Sequence, residues 1–303
     1  MPHSTGSWSP VAAASLLRWQ QSTTIGQHEG VGDLDNDTAL VKVEDGHYRA
    51  TLSQDWEIWG PMGGYVAACA LRAAGEASGQ PVPASFSCHY LGVAQFEPID
   101  IKVEVRREGR AATSQRVEVT QSGRRILDAL VWSTSEGPGL EHDETVPPDV
   151  PRPSDLPGPP SDSAVRYPFW NNLESRVIHS EPVWPPAGPR PAVWQEWLRF
   201  IPTSTYADPW VDAARLLILV DLPSWPSANR AHAWRHHPFI APTLDLNVAF
   251  HQPASGDEWL LCDGSAPLST RGLFGWTARI WSSEAKLLAS GGGQCLYREV
   301  PSA

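Results

Sequence analysis

The 303-residue sequence predicts an α+β fold in which one structural unit occurs twice. Each half contains a pair of short alternating runs, one long apolar stretch with helical spacing, and then a series of strand-like runs. A segment rich in proline and glycine separates the halves. Sheets made of successive strands are antiparallel, so we expect two tandem antiparallel sheets, each wrapped around one long helix.

The first half opens with a hairpin, which follows a loose lead-in over residues 1 to about 30. Asp45-Gly46 is a turn signal between the strand-like runs Ala39–Val43 and Tyr48–Ser53. A helix is predicted from the Pro61-Met62-Gly63-Gly64 stretch to about Ala77, because an alanine-rich run ends there before Gly79 and Pro81. The predicted strands that follow are Ala84–Leu91, Pro98–Arg107, Thr113–Thr120 and Arg125–Ser133.

Composition changes sharply between the halves. From Glu136 to about Asp162, proline and glycine punctuate an acidic run with few apolar residues, which predicts a stiff, extended linker. A long irregular loop within one domain is the alternative. We therefore divide the chain into a first domain at 30–135, a linker at 136–162 and a second domain at 163–300.

The second half repeats the order of the first. The predicted strands are Leu173–His179 and Ala192–Ile201 before the helix, and Thr243–His251, Glu258–Gly264, Gly272–Trp281 and Lys286–Tyr297 after it. Asp208 and Pro209 are typical of a helix start, and Pro223 disfavours helix at the residue before it.

One acidic residue stands out on this second helix. Val211, Ala214, Leu217 and Ile218 share a face with Asp221, so a carboxylate extends an otherwise apolar stripe. Its position at the helix C-terminus is unfavourable for an anion by a few tenths of a kcal/mol up to about 1 kcal/mol. A reactive acid and an ordinary surface aspartate both remain open at this point.

Charge and cysteine content exclude several classes of function. The net charge of −11 argues against nucleic-acid binding, and no run of about 18 apolar residues predicts a membrane span. The four cysteines show no metal-binding spacing, so we expect free thiols, a cytoplasmic location, and neither metal nor cofactor.

Several short motifs resemble the double hot-dog acyl-CoA thioesterases of the type II family. They are Pro61-Met62-Gly63-Gly64 in the first half and, in the second, the stretches at 243–253, 258–261 and 287–294. The resemblance covers nearly all of the chain. It implies two fused hot-dog domains, an acyl-CoA substrate, a role in fatty acid metabolism and a possible homo-oligomer.

The family resemblance also implies a catalytic set. Asp221 matches the family's aspartate, Thr243 matches the threonine that opens the next strand, and Gln294 matches the glutamine of the last strand. These three would hold the attacking water. The sequence departs from better-known members at Leu246, where they often carry histidine, which leaves the neighbouring pocket in doubt.

Strand alternation complicates the expectation for Thr243. Regular pleating would place Thr243 on the face opposite Leu244 and Leu246, away from the helix that carries Asp221. We therefore expect Thr243 to lie just before the regular strand. The first helix holds no acid before Glu76, so we expect a degenerate first domain and one catalytic site, in the second half.

Supporting roles are predicted for glycines and apolar residues. Gly63 and Gly64, at a helix N-terminus, would donate backbone N–H groups to an oxyanion, with tight packing as the alternative. The acyl tail would run along the second helix between apolar side chains. Its predicted lining is Trp210, Leu217, Gly291, Gly292 and Gly293.

Two further groups of residues leave other functions open. His89 and His251 are compatible with a hot-dog dehydratase or hydratase, and a non-catalytic acyl-binding protein is a second alternative. A cluster of arginines would meet the phosphates of coenzyme A or simply form a solvated hairpin face. These arginines are Arg106, Arg107, Arg110, Arg124 and Arg125.

Overall fold

The computed structural model describes residues 30–135, 137–158, 167–179, 185–235 and 239–299. These residues belong to one compact unit, Gly30–Val300. The predicted lead-in over residues 1–29 and the ends of the predicted linker, at 136 and 159–162, lie outside the described residues.

The first half has the predicted order of elements. A short helix α1 (Leu34–Asp37) precedes the hairpin, which is confirmed by antiparallel pairing of its two strands around a turn at Gly46. The long helix of this half begins at Gly63, within the predicted Pro61-Met62-Gly63-Gly64 stretch. The elements are β1 (Val41–Glu44), β2 (His47–Thr51), α2 (Gly63–Ala77), β3 (Val82–Tyr90), β4 (Pro98–Glu108), β5 (Ala112–Gln121) and β6 (Arg124–Thr134).

The second half adds one helix that the sequence did not predict. α3 begins as expected, since the Asp208 side chain accepts a hydrogen bond from Trp210 N at 2.8 Å and Pro209 takes the first helical position. It ends at Asp221, and α4 starts after Pro223. The elements are β7 (Leu173–Val177), β8 (Val193–Phe200), α3 (Pro209–Asp221), α4 (Ser224–His232), β9 (Phe239–Ile240), β10 (Thr243–Phe250), β11 (Leu260–Thr270), β12 (Leu273–Ser282), β13 (Leu287–Leu296) and β14 (Arg298–Glu299).

The prediction of two separate sheets is not confirmed. In the described part of the chain, twelve strands form one antiparallel sheet in the order β1-β2-β4-β5-β6-β3-β10-β13-β12-β11-β8-β7, and β9 pairs with β14. β3 of the first half pairs with β10 of the second, with Cys88 opposite Leu246. Each half alone would leave a strand edge unpaired at this point, and the pairing satisfies both edges. The halves therefore meet along a shared seam.

The two long helices pack against each other beneath this sheet. Near the N-terminus of α2, a Cβ on Gly64 would stand only 3.1 Å from Ile218 Cα of α3. Near its C-terminus, Gly75 lies against the ring of Trp210, at the start of α3. The helices therefore run antiparallel, and the C-terminus of α3 faces the N-terminus of α2.

Part of the predicted linker lies against the outer face of the second half. Residues 137–158 contain one short 3-10 turn, Pro153–Asp155, and are mostly exposed. Val150 and Leu156 pack on a buried outer cluster of Trp197, Leu261 and Trp281. Trp197 Nε1 also donates a hydrogen bond to the Pro151 carbonyl at 2.9 Å. The segment therefore covers apolar surface that would otherwise face water.

Candidate active site

Asp221 lies where α3, α2 and β10 meet. Its side chain is only 6% exposed. Oδ2 accepts a hydrogen bond from Gly64 N at 2.8 Å, and Oδ1 accepts one from Thr243 Oγ1 at 3.4 Å. Burial raises the pKa of Asp221 to about 6, while the bonds from Gly64 and Thr243 act to lower it. The result is a base that ionises near neutral pH, which is suited to accepting a proton from water.

The antiparallel helices explain how an anion is tolerated at the C-terminus of α3. Gly64 lies in the first turn of α2, where backbone N–H groups have no partner within the helix. The positive end of the α2 dipole therefore faces Asp221 and offsets the negative end of α3. The acid comes from one half of the chain and its backbone donor from the other.

A bulge turns Thr243 toward Asp221. In the pairing of β10 with β13, Thr243 lies opposite Cys295 but Asp245 lies opposite Gln294, so Leu244 is an extra residue. Thr243 and Leu246 are three residues apart, so regular pleating would place them on opposite faces. The extra residue shifts this alternation of faces, and both side chains point inward. The expectation that Thr243 precedes the regular part of the strand is thus confirmed.

The structure does not bring Gln294 to this cluster. Its side chain is exposed, and its amide nitrogen lies over Gly275 of β12, 3.1 Å from where a Cβ would be. The neighbouring Cys295 is buried instead, with Sγ 3.8 Å from Thr243 Oγ1. Adjacent residues of a strand face opposite sides, so only one of the two can face Asp221. A role for Gln294 in holding water stays a prediction from the sequence.

Both interpretations of the glycine pair find support in the geometry. Gly64 N donates to Asp221, and Gly64 also allows α3 to approach closely. Gly63 precedes it at the start of α2, beside Asp221 Oδ2. Because the Gly64 N–H already has a carboxylate partner, the Gly63 N–H is the remaining candidate of the pair for an oxyanion donor.

The predicted acyl-lining residues lie in tightly packed surroundings. Trp210 is buried against α2, and Leu217 is fully buried in the core. A Cβ on any of the three glycines Gly291, Gly292 and Gly293 would collide with a backbone oxygen of β10 or β12. The expectation that these glycines make room for a substrate is therefore corrected: their missing side chains make room for the neighbouring strands.

Sequence reasoning missed two residues beside Asp221. Tyr90 ends β3, and its hydroxyl approaches Gly63; Cys295 approaches Thr243 from β13. The signal for Tyr90 was its spacing of two from Cys88, which puts both side chains on one face of β3. Recognising that signal required knowledge of the pairing between β3 and β10.

The two histidines lie away from this cluster. His89 is exposed, because its strand neighbour Cys88 faces the interior. His251 is also exposed, and its Nε2 lies 2.8 Å from Ser290 Oγ. No group of three or more metal-ligating side chains occurs among the described residues, and no described helix has the length and hydropathy needed to cross a membrane.

The five arginines lie along exposed strands and turns. Arg106 Nη1 is 3.0 Å from Glu104, and Arg125 Nε is 3.7 Å from Glu118. Arg124 donates to the Val93 carbonyl at 3.1 Å. Three of the five arginines thus already contact a carboxylate or a carbonyl. This favours a solvated hairpin face over a phosphate-binding site.

Comparison with known proteins bears on both halves of the chain. The family model of the acyl-CoA thioesterase N-terminal domain matches residues 52–134, and that of the acyl-CoA thioesterase C-terminal domain matches residues 147–295. The chain belongs to the acyl-CoA thioesterase family. Its enzyme class is therefore thioester hydrolase.

Solved structures similar to this acyl-CoA thioesterase share the hot-dog fold. Acyl-CoA thioesterase II TesB2 from Mycobacterium marinum is 25% identical, with a TM-score of 0.73 over 89% of this chain and 99% of that one. A putative thioesterase from Novosphingobium aromaticivorans is 24% identical, with a TM-score of 0.72 over 85% and 98% of the two chains. A hot-dog protein of unknown function from Alicyclobacillus acidocaldarius is 22% identical, with a TM-score of 0.75 over 89% and 99%. A search of curated proteins returns no significant match.

Proposed function

We propose that this acyl-CoA thioesterase hydrolyses its substrate with a water molecule activated by Asp221 and held by Thr243. The observation that carries the proposal is the buried carboxylate at the junction of α2, α3 and β10. A carboxylate in this environment costs folding free energy, and a base with a pKa of about 6 is mostly ionised at neutral pH.

The reaction follows from the donors and acceptors around Asp221. The carboxylate takes a proton from water as the water oxygen forms a bond to the thioester carbonyl carbon. Backbone N–H groups at the start of α2, chiefly that of Gly63, stabilise the resulting oxyanion. The C–S bond then breaks, and the thiolate of coenzyme A takes the proton from Asp221. The products are a free acid and a thiol.

We propose a single site per chain, shared between two domains. The first domain, 30–135, supplies Gly63 and Gly64, and the second, 163–300, supplies Asp221 and Thr243. The segment 136–162 links them. The hydrogen bond between Gly64 N and Asp221 Oδ2, which crosses from one domain to the other, supports this division.

The apolar part of the substrate has aromatic side chains available at this end of the molecule. Trp59 lies four residues before Gly63, and Trp225 lies four residues after Asp221; their rings meet edge to face with centroids 5.9 Å apart. Both are partly exposed. We propose that they contact the acyl group, so that kcat/KM rises from acetyl-CoA to medium-chain acyl-CoA and then levels off.

The cellular setting is a further proposal. Release of free fatty acids from acyl-CoA would place the enzyme in fatty acid metabolism. The four cysteines are all free and buried in the structure, which supports a reducing, cytoplasmic location. A homo-oligomer remains a prediction, and the exposed side chains of Leu130 and Trp132 on β6 offer apolar surface for one.

Thiol release from acyl-CoA tests the catalytic assignment. Asp221→Asn should lower turnover by a factor of about 100 or more, as expected for a lost general base. Thr243→Val, which keeps the shape and removes the hydroxyl, should lower it less. As a matched control, Asp263→Asn alters a half-buried carboxylate that accepts a hydrogen bond from Gln195, and it should leave turnover unchanged.

The pH profile and Gln294 complete the test. In the unmodified enzyme, kcat/KM should rise with pH through about 6, because Asp221 must lose its proton to act as a base. Gln294→Ala should lower turnover if Gln294 turns inward to hold the water, as the family resemblance implies, whereas near-normal activity would leave that task to Thr243. Near-normal activity of Asp221→Asn would refute the assignment.

A further inference from the structure

Tyr90 places a hydroxyl group beside the proposed base. A Cβ built on Gly63 would stand 3.2 Å from Asp221 Oδ2 and 3.3 Å from Tyr90 Oη. Both oxygens therefore pack against the side of Gly63 where a side chain would otherwise stand. A water molecule that bridges them would donate a hydrogen bond to the carboxylate and accept one from the phenol.

The Tyr90 hydroxyl has no protein partner of its own. Its oxygen is buried, and among the described residues it forms no hydrogen bond of ordinary geometry. The Cys88 thiol lies nearby, but a thiol is a weak hydrogen-bonding group. Buried polar groups in folded proteins are nearly always satisfied by protein, water or ligand. An unpaired hydroxyl that shares its space with Asp221 therefore indicates a bound oxygen at the reaction centre.

We infer that Tyr90 is a further catalytic residue, whose hydroxyl holds the attacking water beside Gly63 while Asp221 accepts its proton. The inference rests on the proposed function of Asp221. The water donates one hydrogen to Asp221 and accepts the hydrogen of Tyr90, which leaves its second lone pair to form the bond to the thioester carbon. Tyr90 keeps its own proton throughout, so the balance of the reaction is unchanged.

The chemical state of Tyr90 suits a donor. Burial, with smaller contributions from Cys88 and Asp221, raises the pKa of Tyr90 well above its ordinary value, so the phenol stays neutral. A neutral phenol can donate one hydrogen bond. A water molecule that donates to a carboxylate still needs a donor for its own oxygen, and the phenol supplies it. The thiols of Cys88 and Cys295 face the same region, and burial raises both of their pKa values, so neither competes as an anion.

Tyr90→Phe removes the hydroxyl and keeps the ring. We expect kcat to fall by a factor of about 10 to 100, the range for one hydrogen bond to a reacting group, with little change in KM. The melting temperature should stay level or rise, because no protein hydrogen bond is lost. Tyr65→Phe is the matched control: Tyr65 Oη donates to the Asp37 carbonyl at 2.7 Å, so this change should lower the melting temperature and leave kcat unchanged.

Hydroxylamine, a nucleophile that replaces water, distinguishes a defect in water positioning from a general loss of activity. It attacks thioesters without the same need for an oriented water, so Tyr90→Phe should raise the ratio of hydroxamate to free acid. Gly63→Ala puts a methyl group in tight contact with both oxygens, where it would displace a water between them, and it should abolish hydrolysis in a folded protein. Both results are expected if a water bridges Asp221 and Tyr90.

Three outcomes separate this inference from the proposed function. Normal kcat in Tyr90→Phe with loss of activity in Asp221→Asn overturns the role of Tyr90 alone. Normal activity in both variants overturns the site. A lower kcat in Tyr90→Phe that comes with a melting-temperature loss like that of Tyr65→Phe, and with an unchanged hydroxamate ratio, means a packing role and also overturns the inference.

Discussion

Asp221→Asn should make the protein more stable while it removes activity. The pKa of this carboxyl rises from an ordinary 3.8 to about 6, so the folded protein holds the proton more tightly than the unfolded chain does. Ionisation of Asp221 therefore destabilises the fold. At about 1.4 kcal/mol per pKa unit, the full cost is about 3 kcal/mol.

The size of this effect depends on pH in a defined direction. Below about pH 4 the carboxyl is protonated in both states and the cost disappears; above about pH 6 it is complete. Asparagine carries no charge, so the variant does not have this ionisation penalty at any pH. Its neutral amide accepts the Gly64 N–H less strongly than a carboxylate, which reduces the gain by about 1 kcal/mol. We expect a net stabilisation of about 2 kcal/mol at pH 8.

Urea unfolding, followed by the fluorescence of the 15 tryptophans, measures the difference. The gain of Asp221→Asn over the unmodified protein should shrink by about 2 kcal/mol between pH 8 and pH 4.5. A gain that is equal at both pH values, or a destabilised variant at pH 8, would refute the reasoning.

Three further changes test other parts of the structure. Arg215→Met should destabilise the fold by about 3 to 5 kcal/mol in urea unfolding, because it leaves the buried Asp212 without its ion-pair partner; an effect under 1 kcal/mol would contradict this. Gly292→Ala, at a φ of 152° and against a β12 backbone oxygen, should give insoluble protein or a sharply lowered melting temperature, whereas soluble, normally melting protein would show that the strands can separate. Trp225→Ala should raise KM for medium-chain acyl-CoA more than for acetyl-CoA, and equal effects on both substrates would place the acyl group elsewhere.

Local signals in the sequence were sufficient for most of the elements. Helix α3 begins after Asp208 at Pro209 and ends shortly before Pro223, as the backbone chemistry of these residues predicts. The turn of the first hairpin lies at Gly46, also as predicted. The sequence does not predict the short helix α4, because Pro223 disfavours helix at the residue before it. Here Pro223 precedes the first turn of a new helix, where a chain can change direction without loss of hydrogen bonds.

Features that depend on distant pairing were not predictable from the sequence. The continuous sheet requires β3 to pair with β10. The pattern of apolar and polar residues in a strand does not indicate which other strand it pairs with. The inward position of Thr243 depends on one extra residue, Leu244, which no local composition reveals. The same limit applies to Gln294 and Cys295, since a shift of one residue exchanges the two faces of a strand.

The hydrogen bond between Gly64 and Asp221 has a consequence for the timing of activity in the cell. Its two ends are 157 positions apart in the sequence. During synthesis, the backbone amides of α2 are made long before Asp221, and Thr243 is made later still. A partly made chain that ends before Thr243, and a proteolytic fragment of either half, lacks at least one of the proposed groups. Such incomplete products are therefore expected to have no thioesterase activity.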